Sequence, residues 1–204
     1  MKAYTLEAAN AYIVENLNRI NPQFKPNIHF SAPIGWINDP NGFVYFRGEY
    51  HLFYQYYPYG SFWGPMHWGH AKTKDFVSWE HLPVALAPDK PYDKDGCFSG
   101  SALVKDDTLW LMYTGHIVHE DGRVSQVQNI AYSTDGIHFE KIEENPVATG
   151  DILPSDLIAA DFRDPKLFEK DGHYYAVVAA KHKDERGTVV LLGSDDLRNW
   201  QIGR

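Results

Sequence analysis

Apolar residues change their rhythm once along this chain. Leu6, Ala9, Ile13, Leu17 and Ile20 recur at intervals of three and four, which lays one stripe along a helix. Asn21-Pro22 ends the pattern, so the spacing predicts a helix over 5–20. Beyond it, short runs of Val, Tyr, Phe, Trp and Leu are punctuated by Gly, Asp and Pro, the pattern of an all-β region.

The β runs repeat. Ser/Thr-x-Asp-x-x-x-aromatic occurs over 73–79, 133–139 and 194–200, with Asp at 75, 135 and 196, steps of 60 and 61. An Asp side chain tightens a turn, and the aromatic four residues on is placed to open the next strand. A second marker is a strand, tight turn and strand over 42–54, 101–113 and 165–177, with turns centred at 48, 107 and 172, steps of 59 and 65. Two markers with one period predict consecutive four-stranded blades of a β-propeller. A β-sandwich or barrel with similar hairpins accounts for them less well. The period covers about three blades, whereas propellers close with roughly four to eight. The expectation is a partial propeller, part of a longer protein.

Composition narrows the class. Of 204 residues, 44% are hydrophobic and 23% charged, which is ordinary globular usage and excludes disordered and fibrous chains. The 13 Tyr and 6 Trp exceed what a buried core needs and suit a wet, aromatic-lined pocket. A net charge of −8 argues against a nucleic-acid partner. One cysteine, Cys97, leaves no disulfide framework and no Cys-rich zinc site. No run approaches the ~18 apolar residues of a membrane span, and the first 20 residues lack the features of a signal peptide. A soluble, cytoplasmic protein with no membrane partner is expected.

The period also points to a site. Nine residues before Gly48 is Asp39; eight and nine before Asp107 are Ser99 and Phe98; eight before Gly172 is Asp164. The innermost strands of propeller blades start at one end of the channel, so two carboxylates and a hydroxyl should converge there. Asp39 and Asp164 each precede a proline, which predicts extended backbone at both. A single Asp-Pro pair is most simply a loop turn; two at matched positions read as function. Paired carboxylates among amides and aromatics suit sugar chemistry, because glycosidases flank the scissile bond with two carboxyl groups. Gln55, Trp63, Trp68 and Phe98 are suitable neighbours, whereas Trp79 and Trp200 read as structural. Reading His67 and His70 with His51 as metal ligands fails on spacing: three residues apart in a strand, the first two lie on opposite faces, and no metal is expected.

Four motifs, Trp36-Ile-Asn-Asp39-Pro-Asn-Gly42, His67-Trp-Gly-His70, Phe98-Ser-Gly-Ser101 and Arg163-Asp164-Pro165, together resemble glycoside hydrolase family 32, the invertases, sucrose-6-phosphate hydrolases and fructan hydrolases. The resemblance runs from about His29 to Trp200. It implies a five-bladed β-propeller followed by a β-sandwich domain, of which this chain supplies a helical extension over 1–28 and a partial catalytic propeller over 29–204. It implies Asp39 as the nucleophile of a retaining mechanism and Asp164 as the stabiliser of the transition state. Asn38, Gln55, Trp63, Phe98, Ser99 and Arg163 match fructosyl-pocket positions. The implied substrate is sucrose 6-phosphate or sucrose, with fructan as the alternative and no cofactor. One departure stands out. The family's general acid is a Glu in a Trp-Glu-Cys-Pro-Asp type motif after Arg-Asp-Pro, and no such motif occurs here. Glu185, in a Lys-Asp-Glu-Arg run, reads as a solvated turn. Positioned acid catalysis is worth ~10²–10⁴-fold, so these residues alone are expected to be inactive on sucrose. A non-catalytic remnant of a truncated gene is the reading from another class.

Overall fold

Thr5 accepts a hydrogen bond from the Ala8 N–H and caps α1 (Leu6–Asn16). The computed structural model describes residues 4–203; residues 1–3 and Arg204, the outer ends of the two predicted segments, lie outside the described residues. The predicted helix runs too far. After Asn16 the chain tightens into a 3-10 turn, Leu17–Arg19, which rotates the stripe off the β surface and leaves Leu17 and Ile20 exposed. Only Ala9 is fully buried, against Tyr54, Tyr56 and Val84.

Twelve strands follow among the described residues, in three antiparallel meanders. The first is β1 (Trp36–Phe46), β2 (Glu49–Tyr57), β3 (His67–Thr73) and β4 (Glu80–Leu86). The second is β5 (Gly96–Lys105), β6 (Thr108–Val118), β7 (Val124–Ser133) and β8 (Glu140–Lys141). The third is β9 (Arg163–Lys170), β10 (His173–Lys181), β11 (Gly187–Ser194) and β12 (Gln201–Ile202). β5 lies against both β1 and β9, so the three sheets stand side by side as propeller blades with their first strands innermost.

Both repeat markers are local devices. Each first hairpin turns on two residues at positive φ: Arg47-Gly48 (49° and 87°), Asp106-Asp107 (48° and 54°) and Asp171-Gly172 (54° and 79°). That is the geometry of a type I′ turn, whose twist matches that of the strands it joins. After β3, β7 and β11 the Asp carboxylates accept pairs of backbone N–H groups: Asp75 from Val77 and Ser78, Asp135 from Ile137 and His138, Asp196 from Arg198 and Asn199, all within 2.7–2.9 Å. The hydroxyls of Thr73, Ser133 and Ser194 accept the N–H of the residue after each Asp. That residue, Phe76, Gly136 or Leu197, sits at φ 62–75°.

The core lies between blades. Phe46, Phe53 and Trp68 of the first blade meet Leu109, Leu111 and Tyr113 of the second. Met112 and Ile130 of the second meet Leu167, Ala176, Val178 and Trp200 of the third. Alternation along β6 sends Leu111 one way and Met112 the other. Its unbroken apolar run therefore belongs to a strand covered on both faces. Lys141 on β8 pins the loop that joins the first two blades: its Nζ lies 2.7 Å from the Ala87 carbonyl, 2.7 Å from Asp89 and 2.6 Å from Asp93. Asp93 is fully buried and also takes the Tyr113 hydroxyl at 2.7 Å. No helix among the described residues is long and apolar enough to cross a membrane.

Candidate active site

The antiparallel register slips on each inner strand near the same end of the sheet. It slips between Ile37 and Pro40 on β1, between Phe98 and Gly100 on β5, and between Arg163 and Lys166 on β9. Asn38 and Asp39 occupy the first gap, Ser99 the second, Asp164 and Pro165 the third. A bulge takes a residue out of the ladder and re-aims its side chain. Three matched irregularities therefore present Asp39, Ser99 and Asp164 from three adjacent blades. Pro40 and Pro165, which donate no ladder hydrogen bond, are tolerated on these edge strands.

The Ser99 hydroxyl donates to Asp39 Oδ2 at 2.6 Å. Asn41 is buried beneath: its Nδ2 donates to the Asp39 carbonyl at 3.3 Å and its Oδ1 accepts the Gly100 N–H at 2.9 Å. Gly100 admits no side chain, because a Cβ there would lie 2.0 Å from the Met112 carbonyl oxygen. Desolvation pushes the Asp164 carboxyl above its usual pKa; Arg163, with Nε 3.6 Å from Oδ2, pulls it down, and the charge of Asp39 pushes it up again.

The backbone of Asp164 is not extended as its proline predicts. Its φ is +61°, in the left-handed region. Asp is among the few residues that visit that region, at a cost of roughly 1–3 kcal/mol. Contacts from the second blade hold it there. Its N–H donates to Thr114 Oγ1 at 3.0 Å, and Ser101 beside it bridges the Pro165 carbonyl at 2.8 Å and the Leu167 N–H at 2.7 Å.

The remaining predicted residues fall in three settings. Asn38 is exposed beside Asp39, and Trp63 is 55% exposed on the loop after β2, edge-on to Phe98 at 6.4 Å. Phe98 stacks on His116 at 4.2 Å, a neighbour the sequence reading missed. Gln55 is buried, and its Nε2 donates to the Cys97 carbonyl at 3.0 Å, tying β2 to β5. Trp68 is a correction: it is fully buried and its indole N–H donates to the Phe98 carbonyl at 3.1 Å, so it carries the pocket from beneath and cannot stack on a sugar. Arg163 Nη1 lies 3.1 Å from Asp161, which also faces Lys181 at 3.5 Å; Lys181 in turn holds Glu185 at 2.9 Å. Glu185 is an exposed turn residue, as read from the sequence. His51 Nδ1 and His70 Nε2 meet at 2.9 Å in the core, apart from His67. Among the described residues, no three His, Cys, Asp or Glu side chains are grouped to hold a metal ion. Asn41, Ser101, Thr114 and Gln128 were missed. Asn41 and Ser101 lie inside quoted motifs; Thr114 and Gln128 act across blades and leave no local signal.

Residues 29–204 match the model of the glycosyl hydrolases family 32 N-terminal domain. The chain belongs to this family. It is similar to a sucrose-6-phosphate hydrolase of Zymomonas mobilis, 46% identical over 89% of this chain and 36% of that protein. It is similar to a levanase of Bacillus subtilis, 46% identical over 87% of this chain and 25% of that protein. Among solved structures, a family 32 beta-fructofuranosidase of Bombyx mori superposes with a TM-score of 0.87 and 44% identity, over 96% of this chain and 40% of that one. The chain thus spans well under half the length of these family 32 relatives.

Proposed function

We propose that this chain carries the nucleophilic half of a retaining β-fructofuranosidase site acting on sucrose 6-phosphate or sucrose. Supporting this reading, matched bulges present Asp39 on the first blade and Asp164 on the third, and Ser99 of the second donates to Asp39. Ser99 holds one oxygen of Asp39 and leaves the other to attack the anomeric carbon of the fructosyl ring. The carbon–oxygen bond to the leaving sugar breaks as the ester to Asp39 forms, and water then releases fructose with retention. Asp164 accepts hydrogen bonds from ring hydroxyls, and its charge opposes that of the oxocarbenium-like ring. Arg163 orients Asp164. Trp63 and Phe98 supply aromatic surface, and Asn38 a polar group at the mouth. The leaving oxygen needs a proton. Asp161 and Glu185 are both held by cations, so neither is assigned that role. The relatives' names support a phosphorylated disaccharide as substrate, with the cytoplasm as the compartment we propose for it; the likeness to a levanase keeps fructan as the second reading.

The test uses the protein that contains this chain. Asp39→Asn should lower sucrose 6-phosphate turnover by about 10⁴-fold or more, the scale on which loss of a nucleophile acts. A β-fructosyl fluoride, whose leaving group departs unaided, should leave a fructosyl ester on the Asp39 peptide in mass spectrometry. Near-normal turnover by Asp39→Asn, or an ester mapped elsewhere, would remove the assignment.

A further inference from the structure

Asp164 adopts a backbone conformation that its own sequence disfavours, and the groups that impose it lie in the neighbouring blade. We propose that Thr114 is a positioning residue for Asp164, held in that role by Gln128. The inference rests on the assignment of Asp164 as the group that stabilises the transition state.

Thr114 and Gln128 face one another across β6 and β7, and both are completely buried. The Thr114 hydroxyl has one proton, which goes to Gln128 Oε1 at 2.9 Å. Its lone pair is thereby left for the Asp164 N–H at 3.0 Å. Gln128 is oriented in turn: its Nε2 donates to the Phe162 carbonyl at 2.8 Å. The relay thus grips the chain on both sides of Arg163. Gln126, on the same face of β7, donates to the Ala160 carbonyl at 2.7 Å and steadies the approach.

The direction in which Cβ leaves the backbone depends on φ, so the hydrogen bond that holds φ at +61° also holds the aim of the carboxylate. Thr114 is the cross-strand partner of Phe98, next to Ser99. One strand pair of the second blade therefore carries both the hydroxyl that holds Asp39 and the hydroxyl that holds Asp164. The separation of the two carboxylates is set by that blade.

The test is a double-mutant cycle in the protein that contains this chain, with melting curves as a check on folding. Thr114→Val keeps the shape and removes the hydroxyl. It should lower kcat on sucrose by about 10²-fold, as small misplacements of catalytic groups do, and leave KM within about threefold. Thr114→Ser should restore most of the loss. In an Asp164→Asn background, Thr114→Val should cause no further loss, because its effect runs through that carboxylate. Equal fold-losses in both backgrounds, or an unchanged kcat, would overturn the positioning role. An unchanged kcat in Asp164→Asn alone would instead overturn the catalytic assignment on which it rests. Should Thr114→Val not fold, Gln128→Met takes its place in the cycle, with the same non-additivity expected.

Discussion

His67 lies on β3 with no solvent exposure, its Nδ1 2.9 Å from the Pro65 carbonyl and its ring edge-on to Tyr4. Desolvation pushes its pKa down to about 4 from the usual 6.5. The unfolded chain therefore binds a proton at this residue below about pH 6.5, and the folded chain does not until about pH 4. Stability is complete above that window and falls by roughly 3 kcal/mol across it. His70 is depressed in the same direction by burial, next to His51. The turn carboxylates act lower. Backbone N–H groups hold Asp75 down to about 2, so its contribution is lost only as pH falls from about 4 towards 2. His67→Gln should therefore flatten the fall in melting temperature between pH 7 and 4.5 while leaving the steep decline below pH 4. Identical slopes for the two proteins would show that His67 does not titrate in this way.

Elements are joined here by polar groups as much as by apolar ones. Lys141 and Asp93 form an ion pair in which the carboxylate is fully buried, and the pair fixes the loop between the first and second blades. Removing one member strands the other. Lys141→Met should cost about 3–5 kcal/mol in urea unfolding, far more than the lost contact alone, because Asp93 keeps its desolvation without a partner. A loss below about 1 kcal/mol would mean that water reaches Asp93 in the variant. How legible each element was follows from the range of what holds it. The Asp turns and the two-residue hairpins are held by groups two or three residues apart, so both could be read from one stretch of chain. The left-handed Asp164 could not. The proline rule that predicts extended backbone is local, and it is overridden by Thr114, fifty residues away along the chain.

On the scale of the whole molecule, the second blade is covered on both sides and the outer two are not. Phe43, Tyr45, Phe76 and Val77 are exposed on the first blade, and Val189, Leu191 and Ile202 on the third. Patches of that kind on a soluble protein are surfaces that something covers. The 204 residues expressed alone should self-associate, and Phe76→Lys with Val189→Lys should reduce light scattering without changing the circular dichroism. The same chain should show no measurable sucrose hydrolysis, since the proposed roles commit Asp39 and Asp164, and Asp161 and Glu185 are held by cations. Robust sucrose hydrolysis would mean that a carboxylic acid within these residues supplies the proton, and would remove that account.

By itself, the sequence determined the blade period, the turns and the family, and it singled out Asp39 and Asp164 as candidates, because each is written in residues that act within one repeat or recur at matched places in it. Only the tertiary structure decided that Trp68 lies beneath the pocket and not in it, that Asn41 and Ser101 stitch neighbouring blades, and that Asp164 is held left-handed by Thr114. Those outcomes depend on which strand lies beside which and on where the register slips. Both are settled by packing between blades, where a hydrogen bond joins residues that are far apart in sequence and adjacent only after folding.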